Sequence, residues 1–268
     1  MIGYDKIAEH EIGLLLDLPL SEGDGIVVRD QAKPHHQSVD INLPGGGSYN
    51  WVRALTENEN AFDNSFDWGF DAKIGIGCLE FVVIGNGAGD GIYLALTAVE
   101  SADLDFVAGD YSFGVWVNIT DTSHSQIIIG RYALDSKGWE IYWTSVGGVR
   151  YISQRHHHAA TLVPPITGNP RSGCYSVGWT EGIWWFLGIS RFGGGEGYHY
   201  QNGIALAMTT GGLVDPETSN NSLVIGARFT KDSNWFKGGQ WRPRLWSRAL
   251  TATEWITIFN RERHFFGV

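Results

Sequence analysis

The sequence predicts an all-β fold finished by one short helix, and three observations carry that prediction. Of 268 residues, 36 are Gly and 13% are aromatic, whereas only 18% are charged. That balance supplies many turns and wide apolar strand faces, not long solvated helices or a disordered chain. Short apolar runs, broken by clusters of turn residues, also return at intervals. Finally, Thr251 is followed three residues later by Glu254, the spacing of a capping box. In that motif the hydroxyl accepts from the third helical N–H, and the carboxylate reaches back to the cap's own N–H. A helix therefore starts at Thr251, and Trp255, Ile258 and Phe259 give it an apolar stripe that must lie on something.

The elements follow in order. Residues 13–20 read as a strand halted by the turn at 21–25, and residues 26–30 read as a second strand. Residues 31–77 are loosely patterned. They hold the glycines Gly45, Gly46 and Gly47 and the carboxylates Glu57, Glu59, Asp63, Asp67 and Asp71, and are expected to run over the surface. Residues 78–84 and 91–97 flank a glycine loop and read as a hairpin or strand pair. Tyr111, Phe113, Val115 and Val117 alternate with Ser112, Gly114, Trp116 and Asn118, the period of two of a strand with one face more deeply buried.

Residues 127–129 and 139–144 form the next pair. In the latter, Trp139, Ile141 and Trp143 share one face and Glu140, Tyr142 and Thr144 the other. Residues 147–173, with three consecutive histidines and three prolines, are expected to be a long loop or a loop with one edge strand. Strands resume at 175–179 and 183–191, and Asn202-Gly203 between two extended runs is a strong hairpin signal. Residues 223–225 and 241–246 complete the strands before the helix.

Charge narrows the partners. Nineteen basic against 29 acidic side chains give a formal charge of -10, which repels a phosphate backbone, so nucleic acid is not an expected partner. No stretch approaches the ~18 apolar residues of a membrane span, and Met1 to His10 lack the basic start and apolar run of a secretory leader. Synthesis in the cytosol without membrane insertion is expected. Cys78 and Cys174 are too few for a disulfide framework and read as buried, reduced thiols.

In their order and spacing these segments resemble the concanavalin A-like, laminin G-like jelly-roll family. The residues that carry the resemblance are the opening strand and acidic turn before Asp30, Gly77-Cys78-Leu79-Glu80-Phe81, Gly91-Ile92-Tyr93-Leu94 and the run from Gly109 to Val117. Gly182-Ile183-Trp184, the Asn202-Gly203 hairpin and Arg248-Ala249-Leu250-Thr251 with Glu254 complete it. The resemblance covers nearly the whole chain. It implies a two-sheet antiparallel jelly-roll sandwich, with residues 1–268 as a single domain and surface insertions at about 31–77 and 147–173. Many members carry acidic residues in the closing strand. Here Trp241 and Arg242 stand there, which argues against a family-type calcium site, although Asp30 remains a candidate metal ligand.

The family includes glycoside hydrolases, which need paired carboxylates. No Glu-x-Asp-x-x-Glu run is present, and Glu100, Asp103 and Asp105 read as a solvated turn. His156, His157 and His158 are expected to form a surface or interface cluster, as are His35 and His36; in an extended segment only His156 and His158 share a face. No zinc-hydrolase, Cys-x-x-Cys, nucleophile-elbow or phosphate-loop pattern occurs. Trp116, Trp139, Trp143 and Trp246 fall within strand patterns and read as core. Trp235, in a polar run, is the expected exposed sugar-stacking platform, and Asp90 and Asp121 are candidate ligand-orienting groups on loops.

The expected function is that of a non-catalytic structural and adhesive protein of a virus or phage particle, a capsid decoration or tail-associated component. Its expected partners are other particle subunits or copies of itself, with binding to a surface glycan. A free-standing carbohydrate-binding lectin is the alternative, and a divergent glycosidase the third reading.

Overall fold

A computed structural model describes residues 11–19, 30–32, 49–53, 68–71, 76–81, 92–121, 124–158, 171–210 and 212–268. Among them the strands run, in chain order, β1 (Leu14–Asp17), β2 (Tyr49–Arg53), β3 (Trp68–Asp71), β4 (Ile76–Phe81), β5 (Ile92–Leu96), β6 (Tyr111–Ile119), β7 (Gln126–Ala133) and β8 (Lys137–Val146). There follow β9 (Val149–His157), β10 (Arg171–Ser176), β11 (Trp184–Phe192), β12 (Glu196–Gln201), β13 (Ile204–Ala205), β14 (Met208–Thr210), β15 (Leu223–Ile225) and β16 (Gly238–Trp246), and then helix α1 (Ala252–Glu262).

They build two antiparallel sheets. The first has the order β13-β12-β11-β6-β16-β4-β3, with β1 also paired to β16. The second has the order β14-β10-β9-β8-β7-β15-β5-β2. This is the jelly-roll sandwich that the resemblance implies. Phe113, Val115 and Val117 of β6 join Trp139, Ile141 and Trp143 of β8 in one buried cluster between the sheets.

The alternation in β6 is real, but both of its faces are buried. Trp116 packs on the outer face of the first sheet with Trp184, Phe186, Trp246 and the α1 residues Trp255, Ile258 and Phe259. The stripe of the helix is thus what covers that face. The predicted capping box is present: the Thr251 hydroxyl accepts from Glu254 N at 3.3 Å, and Thr251 N donates to Glu254 Oε2 at 2.8 Å. Asn202 and Gly203 both take positive φ, 52° and 78°, and join β12 to β13 as predicted.

Three expectations are corrected. The strands that fall within the stretches 78–84 and 91–97, β4 and β5, do not pair with each other, because β4 hydrogen-bonds to β3 and β16 in the first sheet while β5 pairs with β2 and β15 in the second. Their connecting chain changes sheets, and its loop lies outside the described residues. Residues 147–173 are not one surface loop. β9 sits inside the second sheet between β8 and β10, entered through a two-residue Gly147-Gly148 turn with φ of 59° and 80°. Two consecutive positive φ values make the tight turn whose twist matches a β-hairpin, and only glycine adopts them without strain. Within 31–77, β2 and β3 are edge strands, one on each sheet. The strand predicted at 26–30 and the histidines His35 and His36 lie outside the described residues, apart from Asp30.

Candidate functional site

The second sheet has an outer face turned away from the core, and there β7, β8, β9 and β10 present one continuous row. Gly130, Glu140, Arg155 and Gly173 lie side by side across the four strands. Strand alternation explains the choice of residues: with Trp139, Ile141 and Trp143 committed to the core, Glu140 and Tyr142 must face outward. At one end of the row the Tyr132 ring lies over Gly130, where a Cβ would stand 2.9 Å from it.

Glu140 is only 2% exposed and is held by several donors. Arg155 Nη1 donates to its Oε1 at 2.8 Å, and His157 Nε2 lies 3.2 Å from the same oxygen. Asp135 N donates to His157 Nδ1, which leaves Nε2 as the protonated nitrogen facing Glu140. Burial alone would raise the Glu140 carboxyl, but the His157 hydrogen bond and the Arg155 charge outweigh it and hold the group below its usual range. Tyr132 stacks on the His157 ring with centroids 5.0 Å apart and covers the network from one side.

Next to the charges stand tyrosines. The Arg155 guanidinium lies 4.3 Å from the centroid of the Tyr142 ring and also donates to the Tyr142 hydroxyl. Tyr151 and Tyr175 meet edge to face at 5.3 Å, and Tyr175 is 38% exposed. Arg171 forks onto Asp135 at the far end of the face, and this pairing holds the Asp135 carboxyl below its usual range. The face therefore offers partly exposed rings beside fixed donors and acceptors. Such a surface suits a ligand with both C–H faces and hydroxyl groups.

The residues singled out in the sequence lie elsewhere or play other parts. Trp235 is not an exposed platform: it is 4% exposed, packed on Tyr93 with ring centroids 6.1 Å apart, because the 226–236 segment folds over the outer end of the second sheet. His156, His157 and His158 are not a surface cluster but fully buried, since β9 is an inner strand. His156 points between the sheets, where its Nε2 accepts from the Tyr111 hydroxyl at 2.9 Å and its Nδ1 donates to Val214 O at 2.8 Å. His157 points the opposite way, to Glu140. Asp121 accepts from Lys237 Nζ at 2.8 Å, and Asp90 lies outside the described residues. Asp105 is not solvated either: it pairs with Arg131 Nη1 at 2.7 Å.

Asp30 Oδ1 accepts from the backbone N–H groups of Asp17 and Ala32, both at 2.9 Å. The neighbouring Asp17 carboxylate is forked by Arg242, with Nε to Oδ1 and Nη2 to Oδ2 both at 2.9 Å. Among the described residues no three His, Cys, Asp or Glu side chains gather into a metal-ligating group. Cys174 is a free, buried thiol, pushed up to about 12 by burial.

Sequence reading missed Arg155, Tyr151 and Tyr175. The signal was present: Tyr151, Ser153, Arg155 and His157 repeat with period two, as Glu140, Tyr142 and Thr144 do on the neighbouring strand.

A family model described as the concanavalin A-like lectin/glucanases superfamily matches residues 89–254. No curated protein matches the sequence. Among solved structures, one concerned with the cell entry of botulinum neurotoxin type C through two ganglioside molecules is similar, with 11% identity and a TM-score of 0.57, covering 96% of this chain and 53% of that one. The binding domain of botulinum neurotoxin DC in complex with rat synaptotagmin II gives 11% identity and a TM-score of 0.57, covering 94% and 52%. The binding domain of Paraclostridial Mosquitocidal Protein 1 gives 12% identity and a TM-score of 0.55, covering 94% and 53%. The chain spans about half the length of these structures. At such identities the likeness is one of fold.

Proposed function

This chain belongs to the concanavalin A-like lectin/glucanases superfamily, and from that premise we propose that it is a non-catalytic adhesive module that binds a glycan on the outer face of its second sheet. The observation that carries this reading is the set of partly exposed tyrosines, Tyr142, Tyr151 and Tyr175, beside the fixed Arg155–Glu140 pair. A pyranose lays its C–H face on an aromatic ring while its hydroxyls exchange hydrogen bonds with charged neighbours. Similar folds described with gangliosides and with synaptotagmin support a binding role of this kind.

The same face argues against glycoside hydrolysis. That reaction needs one carboxyl kept protonated as a general acid. Glu140 and Asp135 are both arginine-paired and both held below the usual carboxylate range, so neither serves as that acid.

A glycan array with the purified chain tests the reading. One or more glycans are expected to bind, and Tyr142→Ala or Tyr175→Ala to weaken them by about tenfold, ~1.4 kcal/mol. An array without a hit, or hydrolysis of a bound polysaccharide, would overturn it.

As to setting, the proposal places the module on a virus or phage particle, as a capsid decoration or tail-associated protein. What supports this is the sequence, whose loosely patterned, carboxylate-rich stretch within residues 31–77 is suited to contacts with neighbouring subunits. Mass spectrometry of purified particles decides between this setting and a free-standing lectin.

A further inference from the structure

The first sheet carries a cleft of about 490 Å³ that the tyrosine face does not use. It opens where β1, β16 and α1 meet, and its size falls within the roughly 300–1,000 Å³ of small-molecule sites. Leu14, Trp246 and Ile258 line it with apolar surface, and three arginines, Arg242, Arg244 and Arg261, line it with charge.

Each arginine is matched by a carboxylate. Arg242 forks onto Asp17 and reaches Glu262 at 3.2 Å. Arg244 forks onto Glu262 at 2.8 and 2.9 Å, and Arg261 stands 3.9 Å from Glu11. Three positive groups thus face three negative ones. A free anion or cation entering the cleft gains no net Coulomb attraction, and a purely apolar ligand leaves the charges desolvated and unmatched. A hydroxyl pair fits, because each hydroxyl accepts from a guanidinium N–H and donates to the carboxylate beside it. The apolar lining then meets the C–H groups of the same molecule.

Two further observations point to a built site. Arg242 is a non-glycine residue with φ of 54°, and it sits where the pairing of β16 with β6 slips between Trp241 and Arg244. A side chain held at positive φ is strained, and such strain collects at ligand-holding positions. Arg244 is almost fully buried, lines the cleft, and keeps its Nε–H without a hydrogen-bond partner.

We infer that this cleft is a second ligand site, separate from the tyrosine face, that takes the vicinal hydroxyl groups of a sugar residue or polyol between Arg242 and its carboxylate partners. It goes beyond the proposed function and does not rest on it.

Saturation-transfer NMR on the full chain tests it, with the methyl glycosides of glucose, galactose and mannose as probes and sodium acetate as the charged control. At least one glycoside is expected to bind in the millimolar range and to lose about tenfold in affinity in Arg242→Gly. Acetate is expected not to compete. Should Arg242→Gly fail to fold, Arg261→Ala and Glu11→Gln at the exposed rim decide instead, and unchanged binding in both overturns the inference. So does the absence of glycoside binding at tens of millimolar, or binding abolished by Tyr142→Ala and kept in Arg242→Gly. That last pattern would leave the tyrosine-face proposal standing and remove this one.

Discussion

The indole of Trp255 rests on Gly188, so closely that a Cβ at residue 188 would stand 2.8 Å from the ring. Gly188 pairs directly with Gly114 on the adjacent strand, where a Cβ would stand 2.9 Å from the same ring. Two glycines side by side across β11 and β6 therefore make a socket in the outer face of the first sheet. The Trp255 Nε1–H donates to Ser190 Oγ at 2.9 Å at its edge. Gly188→Ala is expected to destabilise the protein by about 1–3 kcal/mol through overpacking, read as a lower urea midpoint with an unchanged slope. A wild-type midpoint would show that the helix rides freely over the sheet.

The cap of that helix is a smaller and separable contribution. Thr251→Ala removes the acceptor for Glu254 N and should cost about 1 kcal/mol. Because Trp255, Ile258 and Phe259 remain packed, circular dichroism should show the helix retained.

Glu262 is buried with Arg244, Arg242 and the Trp116 Nε1–H as its partners. Removing one member of a buried pair leaves the other charge desolvated. Arg244→Leu is expected to cost about 3–5 kcal/mol, and Glu262→Gln added to it should restore part of the loss. Strictly additive losses in the double variant would mean that the two side chains do not interact.

Acid should weaken the sandwich from within. Burial holds His156 and His199 down to about 3, and both bridge the sheets, His156 to Tyr111 and His199 to Ser176 Oγ at 2.8 Å. Between pH 6.5 and 3 the unfolded chain takes up protons there that the folded chain refuses. Stability is therefore full above about pH 6.5 and falls with pH, by about 1.4 kcal/mol per unit for each histidine. Urea midpoints measured from pH 7.5 to 4.5 should decline with that slope. His199→Asn should flatten it, and an equally steep decline in the variant would show that other groups carry the effect.

Local features were legible in the chain. The capping box, the Asn202-Gly203 turn and the two faces of β8 each depend on residues within a few positions of one another, and the structure has all three. Trp116, Trp139, Trp143 and Trp246 are core residues as their strand patterns indicated. The candidate site was less legible because its meaning lies in distant pairings. A run of three histidines looks solvated until Tyr111, Val214 and Glu140 are seen to receive two of them. Trp235 sits in a polar run, yet its burial is decided by Tyr93 on a strand 142 positions earlier. The Gly147-Gly148 pair was the one local sign that β9 turns back on β8.

The aromatic outer face of the first sheet has a consequence for how the protein is made. Trp116, Trp184, Phe186 and Trp246 all precede Ala252 in the chain, and the helix that shields them comes later than every described strand of both sheets. Until that helix docks, the chain carries a broad indole surface open to water. Chains halted before Thr251 would keep that surface, the kind that recruits chaperones or other nascent chains.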